Sequence, residues 1–174
     1  MYLSSSHLQL RAPELSDLDY LFHVENDTRE WIVSACKVPY SRFQLQQYIE
    51  TNQHDIYADK QLRLMLEHAS SKQLVGIVDL FDFSPANHRA ELGIVIDRDC
   101  RGKGYGRMAL AMLCDYAEHV LDLHQLYAYV HDDNSVARRL FASSGFAHTA
   151  TLPDWVYSGK KYRNVCLFQR VFEK

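Results

Sequence analysis

Three glycines spaced two apart, Gly102, Gly104 and Gly106, alternate with Lys103 and Tyr105 directly after Arg101. Positions without a Cβ take positive φ easily or let a ligand approach their N–H groups. The apolar stretch from Met108 to Cys114 follows at once and reads as a helix pressed against a sheet, with first-turn amides pointing back at the glycines. Uncommitted amides and the positive end of a helix dipole together bind anions. Arg98, Arg101, Lys103 and Arg107 add cationic side chains here, in a chain whose formal net charge is −3. A diphosphate suits such a turn. Upstream, Leu92, Ile94, Val95 and Ile96 mark residues 91–97 as a buried strand, so the unit reads strand, glycine turn, helix.

Glycine turns serve several cofactors. A nucleotide-binding P-loop is excluded, because Lys103 is followed by Gly104 rather than Ser or Thr and Asp97 stands where the first loop glycine is needed. Gly104, Gly106 and Ala109 do satisfy G-x-G-x-x-A, with Asp122 downstream. The chain beyond them is too short for a repeated parallel βαβ sheet. A purely structural turn packed under a helix stays open on these residues alone.

The spacing R-x-x-G-x-G, filled by Arg101, Gly104 and Gly106, resembles the acetyl-coenzyme A pyrophosphate loop of the GNAT family of N-acetyltransferases. A second stretch agrees: Asn134 and Ala137, followed by Leu140-Phe141 and Gly145-Phe146, resembles that family's N-x-x-A helix and the G-F step that ends it. The two motifs cover residues 91–146, and element order extends the likeness to nearly the whole chain. Among subfamilies it looks most like the spermidine and ribosomal-protein-alanine acetyltransferases.

The resemblance implies acetyl-CoA as cosubstrate and transfer of its acetyl group to a primary amine by direct attack in a ternary complex. It places the cosubstrate on the strand backbone at Ile94, Val95 and Ile96, on the turn at Arg101, Gly102, Lys103, Gly104, Tyr105, Gly106 and Arg107, and on Asn134 and Ala137. Alkylamines are protonated up to a pKa of about 10.4, so proton removal must be assisted. In relatives a glutamate near Glu91 acts as base, often through water; pairing with Arg89 is the structural alternative for that carboxylate. A strand N–H around residues 94–96 would hold the oxyanion. The tyrosine that usually protonates the leaving thiolate falls at position 141, which here is Phe141. Water, another phenol (Tyr127, Tyr129 or Tyr162) or departure as thiolate would fill the gap. A catalytically weak or inactive acyl-CoA sensor is the alternative function.

The chain's 174 residues, 47% hydrophobic and 24% charged, make one ordinary globular domain, residues 1–174. Net acidity argues against a nucleic-acid or membrane-surface binder, and no apolar run reaches the length of a membrane span. Cys36, Cys100, Cys114 and Cys166 are scattered, and no secretory leader is evident, so a reducing cytoplasm is expected. The nine His show no metal-site spacing. Ser143-Ser144-Gly145 lacks the glycine a nucleophile elbow needs, since Ala142 occupies that place. Cys100, beside the turn, is either an ordinary loop cysteine or a reactive one. The acceptor stays open between a small amine or polyamine and a protein N-terminus. Glu25, Asp27 and Glu30 suggest an acidic acceptor region, whereas Lys37-Val38 before Pro39-Tyr40 replaces the two acids that spermidine acetyltransferases tend to carry there. Residues 159–165 resemble both subfamilies. A homodimer or larger homo-oligomer is compatible with all of this.

Around the motifs, alternation predicts strands at 8–11, 61–68, 74–83 and 125–131, with two more near 146–152 and 162–172. Helical spacing predicts 16–26 capped by Ser16, 43–52, and 134–144 stopped by Gly145. The segment from Asn26 to Ser41, including Trp31, Ile32 and Val33, fits neither period and reads as a loop near the substrate. The fold class is α+β: a single domain with a mostly antiparallel sheet flanked by helices.

Overall fold

A computed structural model describes residues 2–29, 38–51 and 55–173. Seven strands form one sheet in the order β1 (Leu8–Arg11), β2 (Leu62–His68), β3 (Leu74–Ser84), β4 (Arg89–Ile96), β5 (Gln125–His131), β7 (Lys161–Val171), β6 (Ala147–Ser158). Every neighbouring pair is antiparallel except β4 with β5. Those two are joined through a helix, as a parallel pair requires. The helices are α1 (Leu18–Glu25), α2 (Arg42–Thr51), the single turn α3 (Ile56–Asp59), α4 (Tyr105–His119) and α5 (Ser135–Ser143).

The central strands are covered on both faces. Leu64, Leu66, Val78, Leu80, Leu92, Leu126 and Ala128 pack with Ala109, Leu110 and Leu113 of α4 and Phe141 of α5. Met65 and Ile77, one residue out of phase, pack on the other face with Leu21 of α1 and Leu45 and Ile49 of α2. Two-sided burial is why β2 and β3 contain apolar neighbours rather than clean alternation. Strand β6 is the opposite case, an edge strand exposed along most of its length.

The α1 region begins differently from the Ser16 cap expected. A 3-10 turn at Leu15–Asp17 precedes the helix, and the Glu14 N–H donates to Asp17 Oδ2 at 2.8 Å. Asp17 is buried and held by both terminal nitrogens of Arg11, at 2.7 and 2.9 Å, while Arg11 Nε reaches Glu67 at 2.7 Å. A carboxylate fixed by a fork of donors outcompetes an exposed serine hydroxyl for that start. Strand β6 also runs past the expected 152 to Ser158, because the hairpin with β7 stays paired up to the Gly159-Lys160 turn, where φ is +60° and +65°.

Candidate active site

Strands β4 and β5 pair only through Arg89, Ala90 and Glu91 with Gln125, Leu126 and Tyr127. Beyond Glu91, β4 stays bound to β3 out to Ile96, and β5 stays bound to β7 out to His131. The two sub-sheets therefore diverge, and the peptide groups of residues 92–96 that face β5 have no ladder partner. The gap is a cleft of about 890 Å³. Leu92 to Val95 form one wall, Tyr129 to His131 the other, with Asn134, Ala137 and Phe141 of α5 at one end and Glu25, Arg63 and Tyr48 at the other. Sequence patterning foresaw the strands; their separation arises from which neighbour each one keeps.

At the C-terminal end of β4 the Arg101 Nε donates to the Ile96 carbonyl at 2.8 Å, bracing the strand against the turn. Gly102 and Gly104 take φ of +76° and +84°, and a Cβ at either would meet no atom within 4 Å. These two glycines serve conformation and an open approach. Gly106 belongs to a different category from the one expected. It lies inside α4, which already starts at Tyr105, and a Cβ there would stand 3.2 Å from Leu140 Cδ2, so its small size lets α4 approach α5. The first α4 bond runs from the Met108 N–H to the Gly104 carbonyl at 3.2 Å. The amides ahead of it are left uncommitted by the helix, next to exposed Lys103 and Arg107. Cys100, near the turn, is buried and belongs to the core rather than to a reactive surface.

Asn134 is the N-cap of α5, its Oδ1 accepting from the Ala137 N–H at 3.0 Å. The N-x-x-A spacing is thus a helix cap. It spends the side-chain oxygen of Asn134 and leaves its NH₂ for the cleft. Phe141 is 3% exposed, edge-on to Phe146 at 5.2 Å and stacked on Phe168 at 5.9 Å between centroids. It is a core residue with one side on the cleft.

Glu91 is half-buried on the cleft wall. Among the described residues it makes no ion pair with Arg89 or any other cation. Burial pushes its carboxyl pKa up, and the charge of nearby Asp82 pushes it further. Asp82 sits where the β3–β4 register breaks, at φ +43°, and accepts from the Tyr127 hydroxyl at 2.7 Å. Burial and that bond raise the Tyr127 pKa. Of the three phenols considered, Tyr127 is therefore committed to Asp82, and Tyr162 lies in the β6–β7 hairpin against Tyr157. Tyr129 alone of the three lines the cleft, stacked on Trp155 at 6.3 Å.

Sequence patterning missed two features. Arg63 spans two acids: its Nε and Nη2 bond Asp79 at 2.7 and 3.1 Å, its Nη1 bonds Glu25 at 2.5 Å, and its guanidinium lies over the Tyr48 ring. Burial holds the Asp79 pKa up in spite of this partner. Trp155 is delivered by a slip in the β6–β7 register between Leu152 and Val156, next to Asp154 at φ +51°. The Asp154 N–H is taken by Asn164 Oδ1 at 3.1 Å. Bulges commonly re-aim a side chain next to a site. Pro153 and Asp154 were the available signals, but neither says which strand it will bend against. The acidic trio foreseen near α1 does not assemble in the cleft: Glu25 lines it, Asp27 turns to Arg29 in a separate depression, and Glu30 lies outside the described residues. Trp31, Ile32, Val33, Cys36 and Lys37 also lie outside them.

The splayed parallel pair and the capped second helix line one cleft, and the glycine turn opens the helix that follows β4. The model of the acetyltransferase (GNAT) domain matches residues 7–147. The chain belongs to the GNAT family. It is similar to the spermidine N(1)-acetyltransferase of Vibrio cholerae, 30% identical over 92% of this chain and 91% of the relative. The Escherichia coli enzyme of the same name is 28% identical over 97% and 90%. Among solved structures, the V. cholerae spermidine N-acetyltransferase in complex with CoA and spermine superposes with a TM-score of 0.84 at 27% identity, covering 96% of each chain. A dodecameric structure of that enzyme gives 0.81 at 28% identity, over 96% of this chain and 95% of that one. This GNAT protein is an acetyl-CoA-dependent N-acetyltransferase, and none of these relatives supports a non-catalytic sensor. No helix among the described residues is long and apolar enough to cross a membrane.

Proposed function

We propose that this enzyme acetylates a polyamine or a closely related alkyl amine. The observation that carries the reading is the charge of the cleft: Glu25, Asp79 and Glu91 line it against one guanidinium, Arg63. An acidic cleft walled by Tyr48, Tyr129 and Trp155 suits an alkylammonium chain, which gains from both carboxylates and aromatic faces. The names of the relatives agree, and acids on the sheet floor stand in for the missing acidic pair before Pro39.

In this reading the uncommitted amides of residues 102–107, with Lys103 and Arg107, hold the diphosphate. The Asn134 NH₂ and the backbone of β4 at Ile94, Val95 and Ile96 hold the pantetheine arm, through the Ile94 peptide groups and the Ile96 N–H that face away from β3. Glu91 takes the proton of the attacking amine, directly or through water; burial and the charge of Asp82 raise its pKa, which makes it a better base than a free carboxylate. A β4 N–H then meets the oxyanion. The exposed edge strand β6, with Trp155 and Tyr157, is the surface through which copies of this chain pair, and the cytoplasm is where its acetyl-CoA is supplied.

Release of free thiol from acetyl-CoA, measured with spermidine, spermine, short monoamines and an N-terminal peptide, tests the acceptor. Spermidine and spermine should be turned over with the highest kcat/KM. Turnover of the peptide with none of the polyamines would overturn the reading.

A further inference from the structure

Asn164 lies in the 159–165 stretch, and its side chain and main chain serve opposite neighbours. Leu152 of β6 pairs with Val165 of β7, and Val156 pairs with Arg163, so Pro153, Asp154 and Trp155 together stand opposite the single residue Asn164. A bulge of that kind takes ladder partners away from the bulged strand. The Asn164 side chain replaces one of them: its Oδ1 accepts from the Asp154 N–H at 3.1 Å, where Asp154 holds a φ of +51°. A left-handed backbone at a residue with a Cβ costs free energy and persists only where its surroundings hold it. The next residue is Trp155, which lines the cleft and stacks on Tyr129 while 58% exposed. A ring that open is not fixed by core packing, so its place depends on the backbone that delivers it.

The main chain of Asn164 meets the other wall. Its carbonyl accepts from the Asp132 N–H at 3.2 Å, and Arg163 beside it pairs with Asp133. Those two acids lead directly into Asn134, the cap of α5.

We propose that Asn164 is a positioning residue for the acceptor: its side-chain oxygen fixes the bulge that holds the Trp155 ring on the cleft, where the ring meets the incoming amine. The proposal rests on the reading of this cleft as the acceptor's site. Because only the main chain of Asn164 serves the Asn134 side, loss of the side chain should act on the acceptor and spare the cosubstrate.

Thiol release, measured with the acceptor that the wild type turns over fastest, tests this. Trp155→Ala should raise the acceptor KM on the order of tenfold, within the range of a cation over an aromatic face. Asn164→Ala should raise it by a similar factor, with kcat and the acetyl-CoA Kd each within about threefold of the wild type, the mark of lost ground-state binding of one substrate. Asn164→Asp keeps an oxygen acceptor at the same reach and should restore wild-type KM. The double variant should be no worse than Trp155→Ala alone, since both changes remove one contact. A second readout needs no turnover. With Trp31 replaced by Phe, Trp155 is the sole tryptophan, and its emission maximum should move in Asn164→Ala and not in Asn164→Asp. A folded Asn164→Ala variant with the wild-type acceptor KM would overturn the proposal, as would Asn164→Asp as impaired as Asn164→Ala, or effects that add in the double variant. Two further failures stay distinct. Trp155→Ala with the wild-type KM would take the ring out of the acceptor's site, while an emission maximum unmoved in Asn164→Ala would show that Asn164 does not place the ring; either overturns the proposal. A wild type that acetylates the peptide and no polyamine would defeat the choice of acceptor above, and the same variants are then read with the peptide. If Asn164→Ala does not fold, Asn164→Ser, whose hydroxyl is too short to reach the Asp154 N–H, takes its place.

Discussion

Gly104→Ala separates anion binding from packing at the glycine turn. Gly104 sits at φ +84°, and a methyl group added there would meet nothing within 4 Å, so the substitution causes no clash in the free protein. Its intrinsic cost is the left-handed backbone, about 1–2 kcal/mol for a residue with a Cβ. For a chain of this size that lowers Tm by roughly 2–8 °C. The cost in binding has another origin: the methyl projects into the open side of the turn, where the uncommitted amides would meet the diphosphate. Losing one hydrogen bond to a charged group costs about 1.5–3 kcal/mol, which is about a 10- to 150-fold rise in Kd. Calorimetric titration of acetyl-CoA into Gly104→Ala reads this directly, alongside a thermal melt. Gly106→Ala is the control of opposite character. Its Cβ presses on Leu140 at 3.2 Å, so its first effect is on the contact between α4 and α5. A folded Gly104→Ala protein with wild-type affinity would refute the assignment of the turn to the diphosphate.

Glu91→Gln should cut turnover while leaving acetyl-CoA affinity nearly intact, and it should raise stability near pH 7. Because burial and Asp82 raise the folded-state pKa of Glu91, its contribution to folding is fully present below the unfolded-state pKa and is lost as pH rises through the folded value. Chemical denaturation at pH 4 and pH 7 should show the variant matching the wild type at the first and exceeding it at the second. Arg63→Met should destabilise by about 3–5 kcal/mol, the cost of removing one partner of a buried ion pair, since the buried Asp79 carboxylate loses both of its bonds to the guanidinium. The deficit should shrink as pH falls, because burial favours the protonated Asp79 carboxyl, and urea midpoints at pH 5 and pH 7.5 check it.

Local sequence was sufficient where neighbours within a few residues decide conformation. The glycine turn, the helix near 134–144 with its stop at Gly145 and the strand alternation of 8–11 and 125–131 were legible because φ preferences and side-chain period act at short range. The family motifs were legible for the same reason, being short segments whose chemistry depends on spacing. The acidic trio failed because charge spacing along a chain does not say which carboxylate faces a cleft: Glu25 is drawn in by Arg63, 38 positions away, and Asp27 is drawn out by its neighbour Arg29.

The sequence by itself determined the conformation of the glycine turn and the helix that follows it. Only the tertiary structure decided the cleft. A parallel ladder of three residue pairs gives way because β3 and β7 each hold their own partner to the end, and no local pattern records which of two neighbours a strand will follow. The same reason governs Phe141, whose position relative to Asn134 is fixed by one helix but whose burial depends on Phe146 and Phe168. It governs the burial of the His131 Nδ1 too, which has no hydrogen-bond partner among the described residues because of what the fold packs around it.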